Sequence, residues 1–99
     1  MSEFDKVLVM GVRGEIIFLI LKKNNNESGG IRIIDRKEWK NDGSSSERLL
    51  EMINTFLGKN GLDVNELSKV KVEIDEKQRY TLARIMETVA NTINYCLKD

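Results

Sequence analysis

Residues 6–21 read KVLVMGVRGEIIFLIL, two apolar runs on either side of the glycine-bounded segment GVRG at residues 11–14. Both runs are rich in β-branched and large aliphatic side chains, which are typical of strands. Because the gap between them is short and contains two glycines, residues 6–10 and 15–21 are predicted to form a β-hairpin. Both runs are apolar at consecutive positions, so their sheet is expected to need cover on both faces.

The chain after the hairpin alternates between polar loops and short apolar runs. Residues 22–30 contain three asparagines and two glycines and are predicted to be a loop, and a third strand begins at residues 31–34. Residues 37–46 are polar and are predicted to be a second loop. Residues 69–75 alternate between charged and apolar side chains, which predicts a half-buried strand.

Two segments carry apolar residues at helical spacing. Ser44 and Glu47 have the spacing of a capping box and open the first helix, which Gly58 or Gly61 ends. A second capping-box pair, Asp63 and Glu66, predicts one short turn. Residues 78–97 predict a long second helix with one apolar side.

The element order is therefore strand, strand, strand, helix, strand, helix. This βββαβα order predicts one α/β domain over residues 1–99, with a mixed sheet. Right-handed connections place both helices on the same face of the sheet.

Composition limits the class of protein. Among 99 residues, 40% are hydrophobic and 32% are charged, which is ordinary for a folded domain. The single cysteine, Cys96, excludes an internal disulfide and favours a reducing compartment; it is predicted to be a core thiol. No apolar run approaches the roughly 20 residues of a membrane span, and the first residues lack the features of a signal peptide. The expected location is the cytoplasm.

The side chains that usually carry catalysis are missing or badly placed. Histidine is absent, and no Walker-type phosphate loop is present. Asp75 and Glu76 are adjacent carboxylates at a strand end, but neighbours on a chain point apart. The sequence therefore predicts a protein that is not an enzyme, with no catalytic, cofactor-binding or metal-binding residue.

Nucleic-acid binding is an alternative that the charge distribution leaves open. Sixteen basic and sixteen acidic residues cancel, so the chain has no overall attraction to polyanions. The middle of the chain is locally basic, and acidic residues offset half of that charge. Its basic residues, together with one tryptophan, are Lys22, Lys23, Arg32, Arg36, Lys37, Lys40 and Trp39.

Wide apolar arcs on both helices point to a protein partner. Each helix is apolar over roughly 160°, more than packing on a sheet requires. Packing on the sheet and on the neighbouring helix is one explanation, and an exposed surface that binds another chain is the other. Self-association as a dimer is expected when no partner is present, with alternate residues of the first two strands as a competing contact surface. The predicted helical interface consists of Leu50, Met52, Phe56, Leu57, Ala83, Met86 and Ala90.

Four stretches from Leu49 onward carry a resemblance to a known family: Leu49-Leu50, Asn60-Gly61-Leu62, residues 70–75 and residues 80–85. In these stretches the chain resembles the TsaB (YeaZ) family, which supports threonylcarbamoyladenosine modification of tRNA. The family signature at the start of the long helix is Gly-Pro-Gly-Ser-Phe-Thr-Gly-Leu-Arg-Ile. Laid on this chain without a gap, its Phe-Thr becomes Tyr80-Thr81 and its Arg-Ile becomes Arg84-Ile85, while a later alanine falls on Ala90.

The chain also departs from that pattern. The signature's first two glycines, proline and serine become Glu76, Lys77, Gln78 and Arg79, and its later glycine becomes Leu82. The family's Asp-Thr-Ser-like turn after the first strand is replaced by residues 11–14. The resemblance covers about half of the chain, and the family's second lobe has no counterpart.

The resemblance implies one half of an actin/ribonuclease-H-like fold from the actin/sugar-kinase superfamily, without nucleotide hydrolysis. It further implies a non-catalytic role, in which the first-lobe helices pair with a TsaD-like protein or with a second copy. The competing interpretations are a stand-alone homodimeric structural domain unrelated to tRNA modification and a weak nucleic-acid binder.

Overall fold

The computed structural model describes residues 4–25, 30–40, 45–74 and 81–97. Three strands come first: β1 (Phe4–Arg13), β2 (Ile16–Asn25) and β3 (Ile31–Lys40). Helix α1 (Ser45–Lys59), a single 3-10 turn (Val64–Glu66), strand β4 (Lys69–Ile74) and helix α2 (Thr81–Leu97) follow. The predicted element order is confirmed. The proposed cap at Ser44, the carboxylates at positions 75 and 76 and the start of the second helix at 78–80 lie outside the described residues.

The hairpin of β1 and β2 is antiparallel, as predicted, and is closed by a two-residue turn. Arg13 pairs with Ile16, and Gly14 between them has a φ of 63°. Only glycine adopts this left-handed conformation without strain, and glycine first in the turn is typical of a type II′ hairpin. β1 extends three residues beyond its predicted end at Met10, because the turn consists of two residues instead of four. β2 runs from Ile16 to Asn25, so the prediction of a loop from residue 22 is wrong for residues 22–25, which pair with β1.

The four strands form one mixed sheet in the order β3-β2-β1-β4, with β4 parallel to β1 and the other pairs antiparallel. The prediction that residues 37–40 belong to a loop is wrong, because they continue β3 and pair with β2 as far as Ile16. β3 is an edge strand with one neighbour, so polar side chains along it stay in water at little cost. Only Trp39 of these four residues turns inwards and packs against the core.

The end of α1 is set by the second of the two candidate glycines. Gly61 has a φ of 71°, and the Leu62 N–H donates to the Leu57 carbonyl at 2.9 Å while the Gly61 N–H donates to the Gly58 carbonyl at 3.0 Å. This pair of bonds is the Schellman motif, in which a left-handed glycine follows the helix. Gly58 therefore lies inside α1. The predicted short turn begins at Asp63, whose N–H donates to the Glu66 side chain at 3.2 Å.

Both helices pack on the same face of the sheet, as predicted. On the strands, this face consists of Leu8, Met10 and Val12 from β1, of Ile17, Leu19 and Leu21 from β2, and of Val70 from β4. Leu49, Ile53, Phe56 and Leu57 of α1 and Met86, Ala90 and Ile93 of α2 complete this core. We call this the helix face of the sheet and the opposite side the open face.

Candidate partner-binding surfaces

The seven residues predicted to form a helical interface do not lie together on the surface. Phe56, Leu57, Met86 and Ala90 are buried within the core between helices and sheet. Side chains that are at most 3% exposed offer almost no surface to a partner of the folded domain, so the proposed interface needs correction at these four positions. Met52 is half-buried, Leu50 is 57% exposed, and the side chain of Ala83 lies outside the described residues.

Cys96 is also placed differently from the prediction. The sequence predicts a core thiol, but the side chain is exposed near the end of α2. The apolar arc of α2 is centred on Met86, Ala90 and Ile93, and Cys96 lies on the flank of that arc. The width of the arc therefore overstates how much of the helix is buried.

Asn94 fixes α2 against the outer edge of the sheet. Its side-chain amide donates to the Val70 carbonyl at 2.8 Å, and its side-chain oxygen accepts from the Val70 N–H at 2.8 Å. The two bonds occupy one residue of the unpaired edge of β4, where another strand would otherwise bond. Asn94 thus acts as a substitute for a strand and shows that this flank of α2 faces the sheet edge.

Replacing Asn94 by alanine is expected to lower the free energy of unfolding by about 1–3 kcal/mol, because two backbone groups lose their partners. Asn91→Ala is a matched control on the exposed side of α2 and should change stability little. Urea denaturation of both variants measures the difference. Equal losses would show that the Asn94 amide contributes nothing beyond helix propensity.

Asn60, the residue after the last residue of α1, connects the end of that helix to β3. The Asn60 amide nitrogen donates to Oδ2 of Asp35 at 3.0 Å and to the Phe56 carbonyl at 3.0 Å. The Asn60 hydrogen bond lowers the pKa of Asp35, with help from the Arg36 N–H and the positive charges of Lys59 and Lys37. Asp35 is thus a carboxylate at neutral pH, and the Lys59 flank of α1 faces β3.

These two anchors identify the flanks along which the helices face one another. Leu50 precedes Lys59 by nine positions, and Ile85 precedes Asn94 by nine positions. At about 100° per residue, nine positions place each residue on the opposite side of its helix. Leu50 therefore lies on the α1 flank that faces α2, and Ile85 on the α2 flank that faces α1. Met52 shares the Lys59 flank, so it is separated from Leu50.

We call the outer rim of this inter-helix groove the helix-pair surface. Its α1 side carries Leu50 and the exposed Asn54, and its α2 side carries the half-buried Ile85 and Val89 with the exposed Thr92 and Cys96. None of these side chains is charged, although the exposed Glu47 lies one turn before Leu50 on α1. Depletion of charge around an exposed apolar residue is typical of the centre of a protein interface.

A signal for this surface is present in the sequence as an absence of charge. Residues 88–97 contain no Asp, Glu or Arg and no Lys, although several of them are exposed on α2. An exposed helical segment ordinarily carries charges. The absence of charge, and not the width of the apolar arc, is the sequence pattern that assigns Thr92 and Cys96 to the helix-pair surface.

The open face of the sheet is better covered than its two apolar strands suggest. Val9 and Phe18 are only 1% and 6% exposed, although both helices lie on the opposite face. The Phe18 ring lies against Gly11 on the neighbouring strand, and the Arg13 guanidinium lies over the ring, 5.7 Å from its centre. Long side chains of the sheet itself thus replace part of the cover that a third helix would provide.

The described residues offer little support for other kinds of site. Within them there is no group of three or more cysteine, aspartate or glutamate side chains placed to hold a metal ion. In the same part of the chain, no helix is long and apolar enough to cross a membrane.

Comparisons with known proteins give a fold. No protein-family model matches the chain, and no curated protein is similar to it in sequence. YeaZ from Pseudomonas aeruginosa superposes with a TM-score of 0.71, covering 95% of this chain and 40% of that chain at 16% sequence identity. This chain has the fold of one part of YeaZ. The resemblance seen in residues 49–97 thus extends, at the level of fold, over nearly the whole chain.

A second solved structure supports the same fold. It is described as an uncharacterized protein with similarity to peptidase YeaZ from Pseudomonas aeruginosa, and it gives a TM-score of 0.67 at 15% identity, again covering 95% of this chain and 40% of that one. The chain thus spans well under half the length of both YeaZ-like structures. At such low identity the likeness establishes the fold, and the residues themselves must carry any argument about function.

Proposed function

We propose that this chain is a non-catalytic protein-binding domain of the TsaB type, which serves as a partner or scaffold in threonylcarbamoyladenosine modification of tRNA. The partner is a TsaD-like protein, and the contact is the helix-pair surface. The observation that carries the proposal is Leu50, a large apolar side chain 57% exposed beside the uncharged flank of α2 in a YeaZ-like fold. Docking would remove that side chain from water and bury polar neighbours that carry no charge.

Under this proposal the chain catalyses no reaction, nucleotide hydrolysis included. The turn after β1 consists of Gly14 and Glu15 between the paired residues Arg13 and Ile16, and it contains no aspartate for a metal-nucleotide complex. We expect isothermal titration with ATP and magnesium to show no binding in the micromolar range.

Self-association through the same surface is the second candidate, since an exposed apolar residue on a chain of zero formal charge meets little long-range repulsion from a second copy. In the absence of a TsaD-like protein we expect a dimer at micromolar concentration. Sedimentation velocity measures the oligomeric state directly, and a monomer at every concentration would contradict this second candidate.

The Leu50→Asp variant tests where the partner binds. Because Leu50 is exposed in the folded domain, the variant should fold normally, while the buried charge at the contact should weaken binding at least tenfold. Co-elution with a TsaD-like protein of the same organism in size-exclusion chromatography provides the measurement.

Thr55→Asp is the matched control, since it adds the same charge to an exposed position on another side of α1. It should bind like the unchanged chain. If the unchanged chain does not co-elute with the TsaD-like protein, the proposed partner is wrong. If Leu50→Asp binds as tightly as Thr55→Asp, the contact lies elsewhere.

A further inference from the structure

The open face of the sheet is positively charged, although the chain as a whole is neutral. Strand pairing places six basic side chains on this face: Arg13, Lys22, Arg36, Lys40, Lys69 and Lys71. The same registers place three acidic residues there, Asp5, Glu38 and Glu73. The whole chain has sixteen residues of each sign, so the open face is a local concentration of positive charge on a neutral protein.

Most of this positive charge is not neutralised by other residues that the structure describes. Arg36 forms an ion pair with Glu38, and both side chains remain about half exposed. Lys22, Lys40, Lys69 and Lys71 form no ion pair within the part of the chain that the structure describes. These lysines are available to an acidic partner.

Apolar side chains lie between the charges. Ile16 is 37% exposed, and Val7 and Ile20 are half-buried. A depression of about 220 Å³ opens above Ile16, Phe18 and Ile20, and its walls are Arg13, Arg36, Glu38 and Glu73. The depression has room for one large apolar side chain of a bound segment. Cations lie beside the position that a carboxylate next to that side chain would occupy.

We propose that the open face docks an acidic amphipathic segment of a partner protein, with an apolar side chain in this depression and carboxylates against the lysines. This goes beyond the proposed function, which uses the opposite side of the domain. With one surface on each side of its sheet, the domain holds two different chains at once.

Charge and side-chain type decide against the other occupants. A symmetric contact between two open faces would bring two basic surfaces together, which opposes self-association there. Single-stranded nucleic acid binds sheets through exposed aromatic rings that stack on bases. Here Phe18 is covered by Arg13, while Trp39 packs on the helix face and Tyr95 belongs to α2.

Synthetic peptides provide the test. A fluorescent helical peptide with leucines along one side and glutamates on the flanks should bind, as measured by fluorescence anisotropy, and should bind more weakly as salt is added. The same peptide with lysines in place of the glutamates should not bind. Amide shifts in NMR spectra should change on β1 and β2 and not on the outer side of α2.

Variants of the chain locate the site. Lys71→Glu should weaken peptide binding about tenfold, since one contact becomes a repulsion. Lys37→Glu is the matched control, because Lys37 is an exposed lysine on the other edge strand that points to the helix face. It should leave the affinity unchanged.

Three outcomes would overturn the proposal. The first is that Lys71→Glu and Lys37→Glu change peptide affinity equally, and the second is that the chain binds oligouridine in preference to the acidic peptide. The third is that two copies of the chain dimerise through their open faces and thereby prevent peptide binding. Each is distinct from failure of the proposed function, since Leu50→Asp should bind the acidic peptide normally.

Discussion

Met86→Asp is expected to unfold the domain. Met86 has no exposed area and lies in the core that both helices share with the sheet. A carboxylate there loses its hydration without gaining a partner, a cost of several kcal/mol. A domain of this size is stabilised by about 5–10 kcal/mol in total. Circular dichroism should show loss of most secondary structure, or a fall in unfolding free energy of more than about 4 kcal/mol.

Met86→Leu is the control for this substitution. It keeps the volume and apolar character of the side chain, so it should cost less than about 1.5 kcal/mol. The comparison separates two roles that the sequence does not distinguish, because the apolar arc of α2 predicts that Met86 touches a partner. A folded Met86→Asp variant that fails only in partner binding would restore that prediction and contradict the core described above.

Gly11→Ala is expected to cost about 3 kcal/mol or more, since a side chain at this position has no space. A Cβ atom built on Gly11 collides with the backbone carbonyl oxygen of Glu73 on β4 and with the ring of Phe18 on β2. The ring can rotate away, but the carbonyl is part of the sheet and cannot move without disturbing the pairing of β1 with β4. Thermal and urea unfolding measure the loss.

Gly58→Ala provides the matched control within the same chain. Gly58 lies inside α1 and does not have a positive φ, and a Cβ atom added to it would meet no heavy atom within 4 Å. Alanine is the better helix former, so this variant should gain up to about 1 kcal/mol. Similar changes in both variants would show that glycine composition, and not contact with Phe18 and Glu73, controls stability.

The α1–α2 layer shows how far the sequence could predict a site. Period and element order correctly placed both helices on one face of the sheet, because right-handed connections leave no other arrangement. They did not show which side of each apolar arc the other helix covers. Leu50 and Leu57 share one flank of α1 in a helical projection, yet Leu57 is buried and Leu50 is exposed. That difference depends on what lies beside each residue in space, which no local pattern encodes.

The open face shows the same limit for the sheet. Two strands that are apolar at consecutive positions predict that both faces of the sheet are buried. The two helices bury only one face, so another chain is the simplest candidate for burying the other. The structure supplies part of it from Arg13 and from Phe18 lying on Gly11. These contacts join residues on different strands, and only the register that brings them together makes them predictable.

Local periodicity, turn chemistry and handedness are enough to give the six principal elements, their order, the antiparallel hairpin and the common face of the helices. They do not give the end of α1, the extents of β2 and β3, the burial of Met86 or the exposure of Leu50 and Cys96. Those features come from long-range packing, because a side chain's burial depends on what lies beside it in space. Two amide groups illustrate the point: Asn60 and Asn94 are ordinary polar residues in the sequence, and only their contacts with Asp35 and with the backbone of Val70 fix how the two helices lie on the sheet.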